Sequence, residues 1–553
     1  MSSEWWRGAV LYQIYPRSFA DASGDGVGDL KGVTANLPYV AALGVDGIWL
    51  SPFYPSPMRD FGYDVSDHLG IDPIFGTEQD FAALVSRAHQ LGLKVVVDQV
   101  WSHTAAEHPW FEESRASRQN PKADWYVWAD ARPDGSPPNN WQSWMGGPAW
   151  RWEPRRQQYH LHNFLPQMPD LNFHCAAVQD AVLDIAGHWL ERGVDGFRLD
   201  TANLYFHSRG LEDNPPLPLE QRGDAPVLMQ AHRHNANQPE APRFFERLRA
   251  LMDRFEGRMA VAEIGGLDPL PIMQDYTCGS ARLHTAYSFA FLGKRPDAAT
   301  VVATLAPWAQ REGATAWPSW AFSNHDAPRV ASRWGDPNLR TFAFGGRANA
   351  ATQSMDASPV TWLALLLALR GTIFLYQGEE LGLPQSTLTF EELRDPFGIA
   401  HWPLNPGRDG CRTPFPWQAN ALQHGFTTAA NPWLPADPDH AALAVDRQLV
   451  DHGSTLHATR RLVALRRAHP ALRLGSFEPL VVQGDVLVVR RRLANADASD
   501  DLLLAFNLGA SSARLPLPAA LAPVPPLFQH AQASTEGNTL VLPPGGVLFA
   551  CAS

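Results

Sequence analysis

Gly196-Phe-Arg-Leu-Asp200-Thr-Ala-Asn203 is the stretch on which the reading of this chain turns. Gly196 to Leu199 has the character of a buried strand, and it delivers an arginine and a carboxylate two positions apart. A strand sends alternate side chains to one face, so Arg198 and Asp200 point the same way, and the guanidinium is expected to hold the acid ionised and oriented. An ionised, positioned aspartate is a candidate nucleophile. Upstream, Val182, Ile185, Ala186, Trp189 and Leu190 recur at helical spacing and Gly193 supplies a stop. The segment is one helix-to-strand step of an α/β fold, with its charged pair at the strand's carboxyl end, where such folds place their chemistry.

Short apolar runs of the same kind recur between helical patterns: Val10 to Ile14, Gly47 to Leu50, Val95 to Val97, Gly196 to Leu199, Ala260 to Ala262, Tyr287 to Phe291, Trp320 to Phe322 and Thr372 to Tyr376. Eight strands alternating with helices predict a closed (β/α)8 barrel of the TIM type, built from residues 1–103 and 173–474. Residues 104–172, rich in Trp, Pro, Asn and Arg, form an insertion after the third strand and are expected to overhang the barrel mouth. A second excursion, Glu379 to about His452, follows the eighth strand, and Ser454 to His469 reads as the closing helix with Leu456, Leu462, Val463 and Leu465 on its apolar side. Residues 475–553 change pattern. Val486 to Val489, Leu502 to Phe506, Thr539 to Leu542 and Val547 to Ala550 predict a C-terminal antiparallel β-sandwich, with Leu515 to Pro526 as a connection.

Composition narrows the function. The chain has 553 residues, 45% hydrophobic and 18% charged, and no apolar run long enough to span a bilayer. A net charge of -12 argues against nucleic acid, which wants basic patches. The start lacks a basic segment followed by an apolar stretch, and Cys175, Cys278, Cys411 and Cys551 are scattered without metal-ligand spacing, so the cytoplasm is the expected compartment. Twenty tryptophans suit a protein that stacks sugar rings, although most tryptophans are core.

The other strand ends carry chemistry too. Val95-Val-Val-Asp98 is followed by His103, Val261-Ala-Glu263 closes the fifth strand, and Phe322-Ser-Asn-His325-Asp326 closes the seventh. With Asp200 these place four carboxylates and two imidazoles at one mouth. Converging carboxylates suit glycoside hydrolysis, in which one acid protonates the leaving oxygen while another attacks the anomeric carbon. The alternative, a divalent cation held by the same oxygens, is disfavoured by an arginine aimed at one of them.

Asp98-Gln-Val-Trp-Ser-His103, Gly196-Phe-Arg-Leu-Asp200, Glu263 and Asn324-His-Asp326 resemble, in order, the four catalytic segments of glycoside hydrolase family 13, the α-amylase family. The resemblance implies Asp200 as nucleophile, Glu263 as general acid/base and Asp326 as the third carboxylate, with His103 and His325 on substrate hydroxyls, Arg198 at the nucleophile and Asp98 in support. It also implies retention of anomeric configuration, with the two working carboxyls about 5 Å apart and Asp200 raising the pKa of Glu263. Gln167-Met-Pro-Asp-Leu-Asn172, Asp60-Phe-Gly-Tyr63-Asp64 and Arg408-Asp-Gly-Cys-Arg412-Thr-Pro-Phe-Pro-Trp417 resemble the α-glucosidase and oligo-1,6-glucosidase branch. By that likeness Tyr63 and Phe164 line a terminal glucose pocket, and Asp60 pairs with Arg412 across its floor. Thr201 stands where the branch carries Val in α-1,6-specific members, which implies maltose-like α-1,4 substrates and an exo-acting α-glucosidase that can pass glucose to sugar or alcohol acceptors. Oligo-1,6-glucosidase, sucrose hydrolase and sucrose isomerase are the neighbouring readings. A non-catalytic reading, after transporter-ancillary relatives, is opposed by the retained Asp200, Glu263 and Asp326. Arg394 is read either as reaching the aglycone side or as a surface ion pair.

Asp21-Ala-Ser23-Gly-Asp25-Gly-Val27-Gly-Asp29 alternates oxygen donors with glycines, as cation-binding loops do, although Gly32 stands where an EF-hand has its twelfth-position Glu. It resembles the metal loop of family 13, with Ser23 where Asn is usual. A structural Ca2+, or Mg2+, is expected on Asp21, Ser23, Asp25, the Val27 carbonyl and Asp29.

Overall fold

The computed structural model describes residues 4–223, 225–308, 315–335, 358–493, 500–517 and 526–552. Eight parallel strands close into a barrel: β1 (Val10–Ile14), β2 (Gly47–Leu50), β3 (Lys94–Gln99), β4 (Gly196–Leu199), β5 (Met259–Ile264), β6 (Thr285–Ser288), β7 (Pro318–Ala321) and β8 (Thr372–Tyr376). Each pairs with its neighbours in chain order and β8 returns to β1. Strand parity divides the core. Leu11, Trp49, Val96, Val261, Tyr287 and Phe374 form the cluster inside the barrel, while Val10, Tyr12, Ile48, Val95, Val97 and Phe197 join the larger core between sheet and helices.

The helix before β4 spans Ala176–Glu191 and buries Val182, Ile185, Ala186, Trp189 and Leu190. Gly193 ends it at φ 89°, in the left-handed region that only glycine enters without strain. The sixth strand sits two residues earlier than its apolar run suggests, because Ser288 caps a 3-10 turn that takes Phe289–Phe291 out of the sheet. The shift puts Tyr287 inside the barrel.

The insertion holds a helix, Pro109–Ala116, and a three-stranded sheet in the order Trp128–Ala129, Gln158–Leu161, Trp150–Glu153. It has its own small core of Val127, Ala129, Trp141, Ala149, Trp150 and Leu161. The closing helix runs Thr455–Ala468 with Ser454 as its cap. Its buried side departs from expectation at one position. Leu465 is half-exposed and Arg466 is buried, donating to the carbonyls of Leu367 (2.6 Å), Leu369 (3.0 Å) and Gly371 (2.5 Å). Those carbonyls lie at and just beyond the end of helix Pro359–Ala368, where backbone acceptors lack helical partners.

Beyond residue 475 a five-stranded antiparallel sheet faces a three-stranded one, with Val488, Leu503, Ala505, Leu540, Leu542 and Leu548 between them. Four of these eight strands lie outside the predicted runs. Glu478–Gln483, for example, is almost wholly exposed. Of the connection from Leu515 to Pro526, residues 518–525 lie outside the described residues.

Candidate active site

Register and parity together assemble the mouth of the barrel. Asp98 on β3 is paired with Arg198 on β4, and Arg198 with Val261 on β5, so that one step beyond the paired residues Asp200 comes level with Glu263. Arg198 is completely buried. Its Nη1 donates to Asp98 Oδ1 (2.8 Å) and Asp200 Oδ1 (2.6 Å), while Nη2 contacts Glu263 Oε1 and lies 3.3 Å from the Tyr287 hydroxyl. Tyr287 itself donates to Glu263 Oε1 at 2.6 Å. Trp49 sits under the guanidinium, 5.1 Å from ring centroid to Cζ. Three carboxylates thus share one cation.

Burial dominates the electrostatics. It pushes Asp98 and Glu263 each up to about 7 and raises Asp200, with Arg198 opposing in every case. Sequence reasoning expected Arg198 to keep Asp200 low and Asp200 to be what raises Glu263. Burial is the larger effect on both, and the charges of Asp200 and Asp326 add to it at Glu263.

Asp326 behaves differently. Arg412 Nη2 lies 2.8 Å from its Oδ1 and Arg408 Nη1 lies 3.4 Å away. Burial would raise this carboxyl, but His325, Arg408 and Arg412 outweigh it and hold it well below the usual carboxylate range. His325 is stacked on Tyr63 at 5.0 Å and on Tyr15 at 5.8 Å, and the Gln13 amide donates to its Nδ1 at 2.8 Å. Burial lowers this imidazole to about 3, so it is neutral and its Nε2 carries the proton. That N–H lies 3.2 Å from Asp326 Oδ2 but is too poorly aligned to bond it, leaving a buried donor available to a ligand hydroxyl.

The floor differs from the reading by likeness. Asp60 pairs with Arg408, whose Nη2 is 2.5 Å from Asp60 Oδ1, while Arg412 is committed to Asp326 and to the His325 carbonyl (2.7 Å). Arg408 reaches Asp60 because Asp395 holds it from the other side, at 2.7 Å to Nη2 and 3.1 Å to Nε. Asp395 is fully buried and caps helix Pro396–His401. Its neighbour Arg394 is exposed. The loop carrying Asp60 and Tyr63 is organised by Asp64, which accepts from the amides of Arg59 (2.8 Å) and Asp60 (3.0 Å) and from the Ser56 hydroxyl (2.8 Å).

Around the cavity above this floor stand Asp60, Tyr63, His103, Phe164, Met168, Asp200, Thr201, Glu263, Phe289, Asp326 and Arg408. Tyr63 donates to Asp98 Oδ2 at 3.0 Å, and Phe164, from the insertion, packs 5.2 Å from His103. Both nitrogens of His103 have protein partners, Ser102 Oγ at Nδ1 (2.8 Å) and the Tyr63 carbonyl at Nε2 (3.0 Å), so this imidazole shapes the wall. Thr201 is in the left-handed region at φ 41°, a strained setting for a β-branched residue that turns its amide to Glu263 Oε2 (3.1 Å). A second cavity of about 350 Å3 adjoins Glu263 and Thr201 and is lined by Trp144, Asn203, His232, Arg233, Asn237 and Asp268, among others.

The loop 21–29 lies apart. Asp21 accepts from the amides of Gly24 (2.7 Å) and Gly26 (2.8 Å) and from Thr427, Asp25 from Val27 (2.8 Å), and Asp29 from Ala22 (3.0 Å), Ser23 (2.9 Å) and Gly32 (2.6 Å). The donors are the hard oxygens a calcium ion takes. Among the described residues, no three Asp, Glu, His or Cys side chains are placed so as to hold a metal ion.

Residues 13–475 match the alpha amylase catalytic domain, and residues 475–549 match a domain of unknown function, DUF3459. The chain belongs to the α-amylase family of glycoside hydrolases. It is 48% identical to a probable alpha-glucosidase of Rhizobium meliloti (strain 1021) over 99% of this chain and 97% of that protein. It is 35% identical to an oligo-1,6-glucosidase of Heyndrickxia coagulans, covering 92% of each. Among solved structures, the alpha-glucosyl transfer enzyme XgtA superposes with a TM-score of 0.91 at 48% identity over 100% of both chains. Trehalulose synthase MutB from Pseudomonas mesoacidophila MX-45 superposes with a TM-score of 0.85 at 29% identity over 99% of both. This glycoside hydrolase therefore stands in the α-glucosidase and oligo-1,6-glucosidase branch.

Sequence reasoning quoted Arg408 but assigned it nothing, and it missed Asp395, Tyr287 and Ser102. The signal for Arg408 was two arginines four apart in one motif, where only one was given a partner. A double-mutant cycle of Asp60→Asn with Arg408→Met should give a coupling of at least about 1.5 kcal/mol in kcat/KM, while Asp60→Asn with Arg412→Met gives under about 0.5 kcal/mol. Equal coupling in the two cycles would restore the Asp60–Arg412 pair.

Proposed function

We propose that this protein is an exo-acting, retaining α-glucosidase that removes one glucose at a time from the non-reducing end of short α-1,4-linked glucosides. The observation that carries the reading is the division of the carboxyls into two charge environments. Asp98, Asp200 and Glu263 share a single guanidinium, whereas Asp326 has two arginines beside it. Glu263, raised to about 7, keeps a proton it can give to the glycosidic oxygen. Asp200 is fixed through Oδ1 and presents Oδ2 for attack on the anomeric carbon. Two carboxyls bound to the two ends of one guanidinium suit the short spacing of the retaining mechanism. Asp326, ionised, would hold hydroxyls of the same glucose and oppose the positive charge that develops on it. The Asp60–Arg408 pair blocks the floor, which favours attack at a chain end.

The cavity beside Glu263 would hold the leaving sugar and then either water or an acceptor. The solved α-glucosyl transfer enzyme, at 48% identity, supports transfer to sugars or alcohols as a companion of hydrolysis. The scattered spacing of Cys175, Cys278, Cys411 and Cys551 supports a cytoplasmic setting.

Initial rates and products on maltose, isomaltose and sucrose test the reading, with Asp200→Asn as the blank. Maltose should lead and the blank should lose at least about 10^3-fold in kcat. Turnover retained by the blank sinks the mechanism, and sucrose isomerised rather than cleaved moves the chain to its sucrose-isomerising neighbours. In the same panel Thr201→Val should raise isomaltose activity relative to maltose.

The pH dependence follows from the acid. Glu263 works in the protonated form, so kcat/KM should fall as pH rises through about 7, and Glu263→Gln should abolish the dependence together with most of the activity on maltose. A basic limb unchanged in Glu263→Gln would assign it to another group.

The loop 21–29 is proposed to take a structural Ca2+ once its carboxylates turn from their own amides. Exhaustive chelation should remove one metal per chain and lower Tm while leaving the carboxylates of the barrel mouth intact. If metal content and Tm are both unmoved by chelation, the loop is a metal-free turn.

A further inference from the structure

Four hydrogen-bonding groups stand in line beside the proposed nucleophile, and between them they hold too few protons for every contact. The Tyr63 carbonyl can only accept, so the His103 Nε2 3.0 Å from it must carry the ring proton. His103 is buried and neutral, its pKa lowered to about 4 by burial, so Nδ1 has a lone pair and takes the Ser102 hydroxyl proton at 2.8 Å. Ser102 Oγ has then spent its only proton. Its second contact, 2.9 Å to Thr201 Oγ1, requires the proton of Thr201. Thr201 Oγ1 also donates to Asp200 Oδ2 at 3.2 Å, so Ser102 and Asp200 compete for its one proton. Asp200 Oδ1 is bound by Arg198, and among the described residues Oδ2 has no other donor.

We infer that Ser102 is a positioning residue for the nucleophile: by competing for the Thr201 hydroxyl proton, it weakens the hydrogen bond that Thr201 gives to the second oxygen of Asp200. The inference rests on Asp200 being the attacking group. A hydrogen bond donated to a carboxylate oxygen stabilises its charge, and attack on carbon gives up part of that stabilisation, so each such bond slows the step. Ser102 is 2% exposed and reaches Asp200 only through Thr201.

The test is a cycle on p-nitrophenyl α-glucoside, whose good leaving group makes kcat/KM report attack by Asp200 with little help from the acid. Ser102→Ala frees the Thr201 proton for Asp200 and should lower kcat/KM about fivefold, the effect of one modest hydrogen bond. In a Thr201→Ala background, which has no proton to misdirect, the same substitution should cost less than about twofold. Ser102→Thr keeps the hydroxyl and should hold kcat/KM within about twofold of the parent. Should Ser102→Ala fold poorly, Ser102→Cys, similar in volume and a weak acceptor, takes its place in the cycle. An equal loss in both backgrounds would assign the effect to His103 or to packing and overturn the inference, as would no loss in either. Asp200→Asn serves as the control: turnover there would sink the nucleophile assignment, a failure separate from that of the cycle.

Discussion

Everything at the barrel mouth depends on one buried guanidinium. Arg198 lies among Asp98, Asp200 and Glu263, with Trp49 beneath it, and is reached by no solvent. A cation taken fully out of water is costly unless its hydrogen bonds and charge are met. Here the charge is more than met, since three acids face one base. Keeping all three ionised would leave uncompensated negative charge in a low-dielectric site, so the cluster favours retaining a proton. The barrel makes this possible because parallel strands in register deliver Asp98, Arg198 and Glu263 to the same inner face from three successive strands.

The second cluster carries more positive charge for each acid. Arg408 and Arg412 stand among Asp60, Asp326 and Asp395, so two cations serve three acids and Asp326 stays ionised. The two clusters adjoin, and the charge of Asp326 helps raise Glu263. At Asp326 the cations outweigh burial, whereas at Asp60 in the same cluster, and at Glu263, burial outweighs them.

What was legible in the sequence follows from this arrangement. Strand-end carboxylates could be read because parity and the position of a strand end are local properties, as in Val261-Ala-Glu263. The fold was legible for the same reason, eight short runs each bounded by polar residues. Partnership across the chain was not. Asp60 is 348 residues from Arg408, and the choice between Arg408 and Arg412 is made by Asp395, a residue with no motif of its own. Tyr287 was hidden by Phe289 and Phe291, which extend its apolar run but belong to the turn that Ser288 caps. The exposed sandwich strand Glu478–Gln483 carries a short apolar run, Leu480 to Val482, that stays at the surface and is held by pairing with a buried neighbour.

Thr201 joins the charge balance to the question of substrate. Its left-handed backbone sends the amide to Glu263 and the side chain to the gap between Ser102 and Asp200, so one strained residue touches both carboxyls. The strain is over-determined by its surroundings, since Asp200 N is fixed to the Gln99 carbonyl at 3.0 Å and Leu204 N returns to the Thr201 carbonyl at 2.8 Å. A side chain fixed in this way also lines both cavities, the one above the floor and the one beside Glu263. Under the proposed function its shape bears on where a second sugar would sit and its hydroxyl on the charge of Asp200, because the same backbone turn that brings the amide to Glu263 places the side chain beside Asp200.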